Sequence, residues 1–335
     1  QSPIAAPVPD VEHIDRVRNP IDAFVLRQLE QRGLTLSPEA DHATLARRAY
    51  FDLIGLPPTP EELEMFVSDS EPRAFARLVD RLLASPHYGE RWGQYWLDVA
   101  GYSDSEGVQN ADDVRPNAWR YRDYVIRAFN DDKPYDRFLL EQIAGDELAE
   151  YTPGASVTQE VYDNLVATGF LRMAPDGTYA PITGFVPDRL EVIDDEIEIF
   201  SSAVLGLTIK CARCHSHKFD PIPQRDYYRL AAVFKGALDE HDWVAPRTGG
   251  PDQPQDATAS LLSVVPPSAD EPVTIRAVWD RGEPSPQYIL RRGNYLSPGE
   301  LVGPGVPSVL TDGRTPLMVE RPWPGAQPTG RRLAL

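Results

Sequence analysis

The chain has 335 residues, with 51 aspartates and glutamates against 33 lysines and arginines, which gives a formal net charge of −18. A nucleic-acid partner is excluded, because phosphate backbones need a basic surface. Apolar residues make up 41% of the sequence, which is ordinary for a globular protein. No run approaches the roughly 18 apolar residues that a membrane span requires.

Helical periodicity dominates the first two thirds of the chain. Ile21, Val25 and Leu29 recur at the spacing of one buried helix face, and Thr59 before Pro60 is typical of an N-cap followed by the first helical residue. Helices are predicted to begin near Pro20, Asp41, Thr59, Arg73, Tyr88, Arg115, Tyr135, Glu160, Arg189 and Gln224. The helix from Arg189 is expected to run to about Ile209.

The two cysteines of the chain, Cys211 and Cys214, lie one helical turn apart, and His215 follows them directly. Each thiol of such a turn can form a thioether bond with a vinyl group of haem, and the adjacent imidazole can then bind the iron. The motif therefore predicts one covalently attached haem c, with His215 as the proximal iron ligand.

Two other uses of a C-x-x-C motif stay open. A structural zinc site would need two further ligands, yet the chain has no second C-x-x-C, and His217 has the wrong spacing from Cys214. A thioredoxin-like redox pair would follow a strand, and the apolar run 203–209 is compatible with one.

Beyond Pro246 the sequence becomes rich in proline, glycine and serine, with short β-like runs at 261–265, 273–279 and 287–290. We expect this part to form a partly irregular appendage that contains short strands. The predicted fold class is therefore mainly α: a helical haem domain followed by a C-terminal segment with short β-strands.

The haem motif and its flanks resemble a known family. The run LGLTIKCARCHSHKFDPI at 205–222 is similar to the central signature of the planctomycete-type PSCyt cytochromes. Further matches to that family follow in the right order at 85–92 (SPHYGERW), 115–124 (RPNAWRYRDY), 144–148 (AGDEL) and 225–228 (RDYY).

The resemblance implies a division of the chain. Residues 1–20 would be an N-terminal extension and residues 21–245 the helical haem domain. The run ILRRGNYLSPGE at 289–300 resembles the lead-in to the PSD domain that normally follows in such proteins. Residues 246–335 would then lead into a PSD-type domain that this chain lacks, so the remaining PSD-type half is an expected partner, as a separate chain or a missing segment.

The resemblance also implies a cellular setting. Genes of this family tend to lie among those for sulfatases and other polysaccharide-degrading functions, so a carbohydrate-related substrate is expected. Haem is attached to such motifs outside the cytoplasm. We therefore expect a periplasmic or otherwise extracytoplasmic protein with a redox partner, and a chain that begins at Gln1 suggests that a signal peptide has already been removed.

The second axial position of the iron and a catalytic base are harder to assign. His241 follows the helix after the motif and is the expected distal ligand, with Met173 as the alternative. Asp98, Asp104 and Asp195 are candidates for a general base. Such acids could equally bind calcium or form structural ion pairs.

Three functions remain. The first is a haem c oxidoreductase that acts on a carbohydrate-related substrate and passes electrons on. The second is an electron-transfer or haem-bearing interaction module without a substrate, and the third is a structural zinc module. The chain is much longer than the roughly 100 residues of an ordinary small domain, which favours the first.

Overall fold

The computed structural model describes residues 5–107, 112, 114–152, 154–176, 186–243, 262–312 and 316–335. The chain divides into two compact units. One comprises the residues up to Asp52 together with Leu56–Asp80, and the other comprises Leu53–Gly55 and Arg81–Leu335. The boundary predicted at residue 245 lies outside the described residues.

The first unit is built from short amphipathic helices. They are α1 (Pro20–Glu30), α2 (His42–Leu53), α3 (Pro60–Ser68) and α4 (Ala74–Leu83), whose last residues belong to the second unit. The predicted N-cap at Thr59 is confirmed: its hydroxyl accepts from the Glu62 N–H at 3.2 Å, and the Glu62 carboxylate accepts from the Thr59 N–H at 2.8 Å. This reciprocal pair satisfies two backbone donors that the helix leaves free.

The second unit confirms the mainly α fold class. Its helices are α5 (Pro86–Ala100), α6 (Trp119–Asn130), α7 (Tyr135–Ala144), α8 (Gln159–Ala167), α9 (Val186–Phe200) and α10 (Gln224–Phe234). Within the described ranges, no helix is long and apolar enough to cross a membrane.

Helix α9 is shorter than the sequence predicted. It ends at Phe200, and one π-helical turn (Ser201–Leu205) follows. Gly206 then adopts a left-handed conformation with φ 64°, which ends the helix. The segment before Cys211 is thus a helix and a turn, so the strand expected of a thioredoxin-like motif is not formed there.

Close packing of α5 on α6 sets the aromatic core of the second unit. A Cβ atom at Gly89 would lie 2.3 Å from the Ile126 carbonyl oxygen, so only glycine allows this approach. Trp96 is buried against Phe138 and Phe170, with ring centroids 5.0 and 5.6 Å away. Trp96 is therefore part of the core, whereas Trp92 and Tyr95 on the same helix are exposed.

The strands form two small antiparallel sheets. Strand β1 (Leu262–Val264) pairs with β2 (Val273–Ile275), and β3 (Gln287–Leu290) pairs with β4 (Pro298–Val302). The first three lie within the predicted β-like runs, whereas β4 was not predicted. Strands β3 and β4 pack against α10.

Buried ion pairs bind the C-terminal segment to the helices. Arg276 donates two hydrogen bonds to Glu106, at 2.7 and 2.9 Å, and Arg332 does the same to Asp146, at 2.8 and 2.7 Å. All four side chains are at most 5% exposed. The expected appendage is therefore part of the core of the second unit.

Replacing Arg332 tests this arrangement. Arg332→Met keeps most of the volume but leaves Asp146 buried without its cation, so we expect the free energy of unfolding to fall by about 3–5 kcal/mol. Arg225→Met removes an exposed pair with Glu300 and should cost less than about 1 kcal/mol. Urea unfolding followed by circular dichroism measures both, and equal small losses would contradict a buried role for the C-terminal segment.

Candidate functional site

The C-x-x-C-H motif forms one short helical turn at the protein surface. A 3-10 helix spans Lys210–Arg213, and the Cys211 carbonyl accepts from the N–H groups of Cys214 and His215 at 3.3 and 3.4 Å. Both thiols are free and exposed, whereas Ala212 between them is buried. The turn therefore fixes its backbone on the core and presents both sulfur atoms to solvent.

The imidazole of His215 is oriented by its neighbour. Its Nδ1 lies 2.8 Å from the Ser216 carbonyl oxygen, which can only accept, so Nδ1 carries the proton. The Nε2 lone pair is then left free to bind a metal, a common arrangement for histidine ligands. His217 differs: its Nδ1 accepts from the Asp220 N–H at 2.9 Å, which ties the ring to a local turn.

Acidic side chains of α9 hold one side of the turn. Asp194 pairs with Arg213 at 3.1 Å, and Asp195 binds the Lys210 ammonium group. Glu198 accepts from the Lys210 N–H at 3.0 Å and from the N–H before it at 3.2 Å. The hydrogen bond that Lys210 donates to Asp195 raises the pKa of Lys210. Side-chain contacts from about one turn of α9 thus fix the motif on this helix.

Helix α10 and strand β3 hold the other side. The Tyr228 hydroxyl donates to the Arg213 carbonyl oxygen at 2.8 Å, and the Gln224 amide donates to the same oxygen at 2.9 Å. Gln224 also donates to the Leu290 carbonyl oxygen at 3.0 Å. The motif turn is therefore fixed between α9, α10 and β3.

A glycine turn packs against one thiol, and two exposed apolar side chains lie close to the site along the chain. Gly293 has φ 69°, and a Cβ atom there would lie 2.8 Å from the Cys214 sulfur. Phe219, four residues past His215, is 83% exposed, and Leu296, three residues past Gly293, is 72% exposed. The motif therefore presents two exposed thiols, and a glycine turn packs against one of them.

A cavity of about 230 Å³ adjoins this region. His241 lines it together with Glu240, Tyr288, Leu290 and Tyr295. An adjoining smaller cavity shares Leu290 and Glu240 and is lined by Arg213. Sequence reasoning selected His241 but missed the two tyrosines, because they come from a hairpin about fifty residues later in the chain.

The other predicted site residues lie elsewhere. Asp98 is exposed on α5, Asp104 accepts from the Tyr102 hydroxyl at 2.7 Å, and Asp195 is paired with Lys210. None of these acids lines the His241 cavity, and their proposed role as a general base stays a prediction.

The alternative distal ligand, Met173, has a buried side chain. It is 1% exposed within the aromatic core, and its backbone carbonyl accepts from Arg115 at 3.0 Å. A methionine in this position would have to leave the core to reach an exposed haem. The structure therefore disfavours Met173 as the distal ligand.

The zinc alternative lacks ligands in the described part of the chain. There, the one group of three ligating side chains within 4.8 Å of one another is Glu12, His13 and Glu30, in the first unit. Neither Cys211 nor Cys214 belongs to it. A tetrahedral structural site would need two further ligands beside the thiols.

The inner face of α9 carries a buried acid. Burial raises the pKa of Glu196 to about 8, although the guanidinium groups of Arg172, Arg276 and Arg115 oppose the shift. One oxygen accepts from the Ala174 N–H at 2.9 Å, and the other has no partner among the described residues. Glu196 is therefore mostly protonated at neutral pH, and it faces the core rather than the motif.

Together these features define a mainly α protein with an exposed C-x-x-C-H turn fixed to its core. The model of the PSCyt2 family, described as a protein of unknown function (DUF1549), matches residues 20–239. The chain belongs to this family, which confirms the resemblance noted from its sequence motifs. No curated protein and no solved structure matches the chain.

Replacing Gly293 tests the contact with the motif. Gly293→Ala places a Cβ atom against the Cys214 sulfur and strains a left-handed backbone, so we expect a loss of roughly 1–2 kcal/mol in the free energy of unfolding. Gly325→Ala is the matched control, because its φ of 78° imposes the same left-handed strain while nothing lies within 4 Å of its Cβ position. Urea unfolding of the haem-free protein measures both. Adding Cys214→Ala should recover part of the loss, and no difference between the two glycines would contradict the contact.

Proposed function

We propose that this chain is a monohaem c-type cytochrome, in which Cys211 and Cys214 attach the haem and His215 binds the iron. The observation that carries the proposal is the geometry of the turn. Both thiols are exposed, and the hydrogen bond to the Ser216 carbonyl leaves His215 Nε2 free. Zinc binding is less well supported, since no further ligand accompanies the thiols in the described ranges.

The anchoring of the turn supports the same proposal. Covalent attachment fixes a large planar group, so the protein must hold the two sulfur atoms at a constant distance and orientation relative to each other. Contacts from Asp194, Glu198, Gln224 and Tyr228 do this without using either thiol or the imidazole. The reactive groups of the motif therefore stay free while the backbone is held from both sides.

We infer that the attached haem serves an oxidoreductase reaction. Bound haem would supply one-electron redox chemistry. The His241 cavity beside the turn would bind the substrate. The imidazole of His241 can accept a proton from a substrate hydroxyl group. Tyr288 and Tyr295 give the cavity aromatic walls with polar ends, which suits a carbohydrate-related substrate. In this scheme His241 would act as a base and would not bind the haem iron.

Electron transfer without a substrate is the second candidate. It is favoured by the exposure of the thiols and of Phe219, since a haem at the surface can exchange electrons directly with a partner protein. His241 would then be the distal ligand. In either case we propose an extracytoplasmic location, a redox partner and association with a PSD-type half; calcium binding by the acidic residues has no specific observation in its favour.

Substitutions in the motif test haem attachment. The protein is produced with an export signal in a bacterium that has a cytochrome c maturation system, and Soret absorbance is measured after denaturation and solvent extraction of free haem. We expect one covalent haem per wild-type chain, none in the Cys211→Ala/Cys214→Ala double variant, and strongly reduced haem in His215→Ala. His217→Ala is the matched control and should keep its haem. A wild-type chain without a Soret band would contradict the proposal.

Carbon monoxide tests the distal side of the iron. An oxidoreductase with an open site should bind carbon monoxide rapidly in the ferrous state, with a shifted Soret band, and His241→Ala should bind it equally fast. A six-coordinate wild-type spectrum that carbon monoxide leaves unchanged would contradict the open site. If His241→Ala then became sensitive to carbon monoxide, His241 would be the distal ligand and electron transfer would be the better description.

A further inference from the structure

A cavity separate from the two described above lies in the same unit, among residues that the haem proposal does not use. It measures about 300 Å³, the lower end of the range for small-molecule sites. Trp279, Trp323 and Tyr151 supply aromatic walls, and Asp280 and Glu150 supply carboxylates. Two of the three aromatic residues come from the C-terminal segment, so the cavity exists because that segment packs on the helices.

The carboxylate of Asp280 is fixed in place. Its Oδ1 accepts from the Gly282 N–H at 2.8 Å, and its Oδ2 accepts from the Thr329 hydroxyl. Behind it, a Cβ atom at Gly236 would lie 2.4 Å from Oδ2, so the backbone there fits closely around the acid. Asp280 is only 4% exposed, which makes it a rigid negative group in the cavity wall.

Negative charge exceeds positive charge around this acid. The Asp280 N–H donates to Asp146 at 2.7 Å, and Asp146 with Glu147 faces the single guanidinium of Arg332. Burial raises the pKa of Glu147 above its ordinary value, although the Arg332 guanidinium opposes the shift. Even with Glu147 protonated, Asp146 and Asp280 together outweigh Arg332 by one charge.

Nearby arginines do not remove the excess. Arg281 pairs with Asp242 at 2.8 Å, while Arg321 and Arg331 both lie near Glu283, at 3.5 and 3.4 Å. Arg321 also donates to the carbonyl oxygens of Ala326 and Gln327, which line the cavity, so its positive charge lies at the rim, opposed by Glu283. None of the three guanidinium groups lines the cavity itself. Exposed Glu150 adds a further negative charge at the cavity wall.

Among the described residues, the polar groups of the aromatic side chains in the cavity have no hydrogen-bond partner. In the described part of the chain, no hydrogen bond is formed by the Tyr151 hydroxyl or by the indole N–H of Trp279 or Trp323. Their rings and polar ends are thus available to a ligand. Aromatic rings attract cations through their negative faces, and tryptophan does so most strongly.

We propose that this cavity binds a small organic cation of the quaternary ammonium type. Trp279, Trp323 and Tyr151 would contact the methyl groups that carry the positive charge, and Asp280 with Glu150 would supply the opposite charge. A neutral sugar would also use aromatic walls, but it would leave the negative charge beside Asp280 uncompensated. The inference is independent of the haem proposal, because it uses none of the motif residues.

Choline is the probe, and the full chain is titrated with it by isothermal calorimetry and tryptophan fluorescence. We expect saturable binding at low ionic strength. Its neutral analogue 3,3-dimethylbutan-1-ol, which has the same shape, should bind at least about tenfold more weakly, and glucose should not bind. Trp323→Leu should weaken choline binding about tenfold, which corresponds to the loss of one desolvated cation–π contact.

Two further variants complete the test. Trp92→Leu removes a partly exposed tryptophan outside the cavity and should leave choline binding unchanged. Glu150→Gln removes an exposed acid and should weaken binding about twofold at low salt and less at high salt. Equal binding of choline and its neutral analogue would overturn the proposal. So would binding of glucose without choline, or the absence of saturable choline binding in a folded wild-type chain.

Discussion

The acidic residues of α9 are the constraint on which the candidate site depends. On one face of the helix, Asp194 and Glu198 fix the side chain and backbone of the motif turn. On the other face, Glu196 is buried among arginines and holds the Ala174 N–H. Because α9 is fixed on its inner face, its outer face can hold the motif rigidly. The surface turn is therefore held in place by a helix that is itself fixed to the core.

Buried ion pairs also explain why the C-terminal segment and the helices form one compact unit. The C-terminal segment has little regular structure of its own, and its two small sheets could not fold alone. Arg276 and Arg332 extend from it into the helical core. Arg332 meets Asp146, which would otherwise be buried without a cation, and Arg276 shares Glu106 with Arg115. Removing either partner is costly because the remaining charge cannot reach water. The same packing creates the three cavities described above.

Local features of the structure were predictable from the sequence, and long-range ones were not. Helices α7 and α10 begin at Tyr135 and Gln224, where the sequence predicted helices to begin. The contact of Arg276 with Glu106 joins residues 170 positions apart, and that of Arg332 with Asp146 spans 186. Sequence periodicity reveals which residues share a face of one helix or strand, but not which distant residues form pairs. The sequence therefore predicted that the C-terminal segment is an appendage. The motif was recognised because its chemistry lies within five consecutive residues.

The central claim is that the turn at Cys211 and Cys214 carries a covalent haem. Intact-mass spectrometry of the denatured, exported protein tests it most directly. We predict a single species heavier than the polypeptide by one haem, and a haem-bearing peptide that contains both cysteines after proteolysis. A mass equal to that of the unmodified polypeptide, from cells that mature a control c-type cytochrome, would contradict the account.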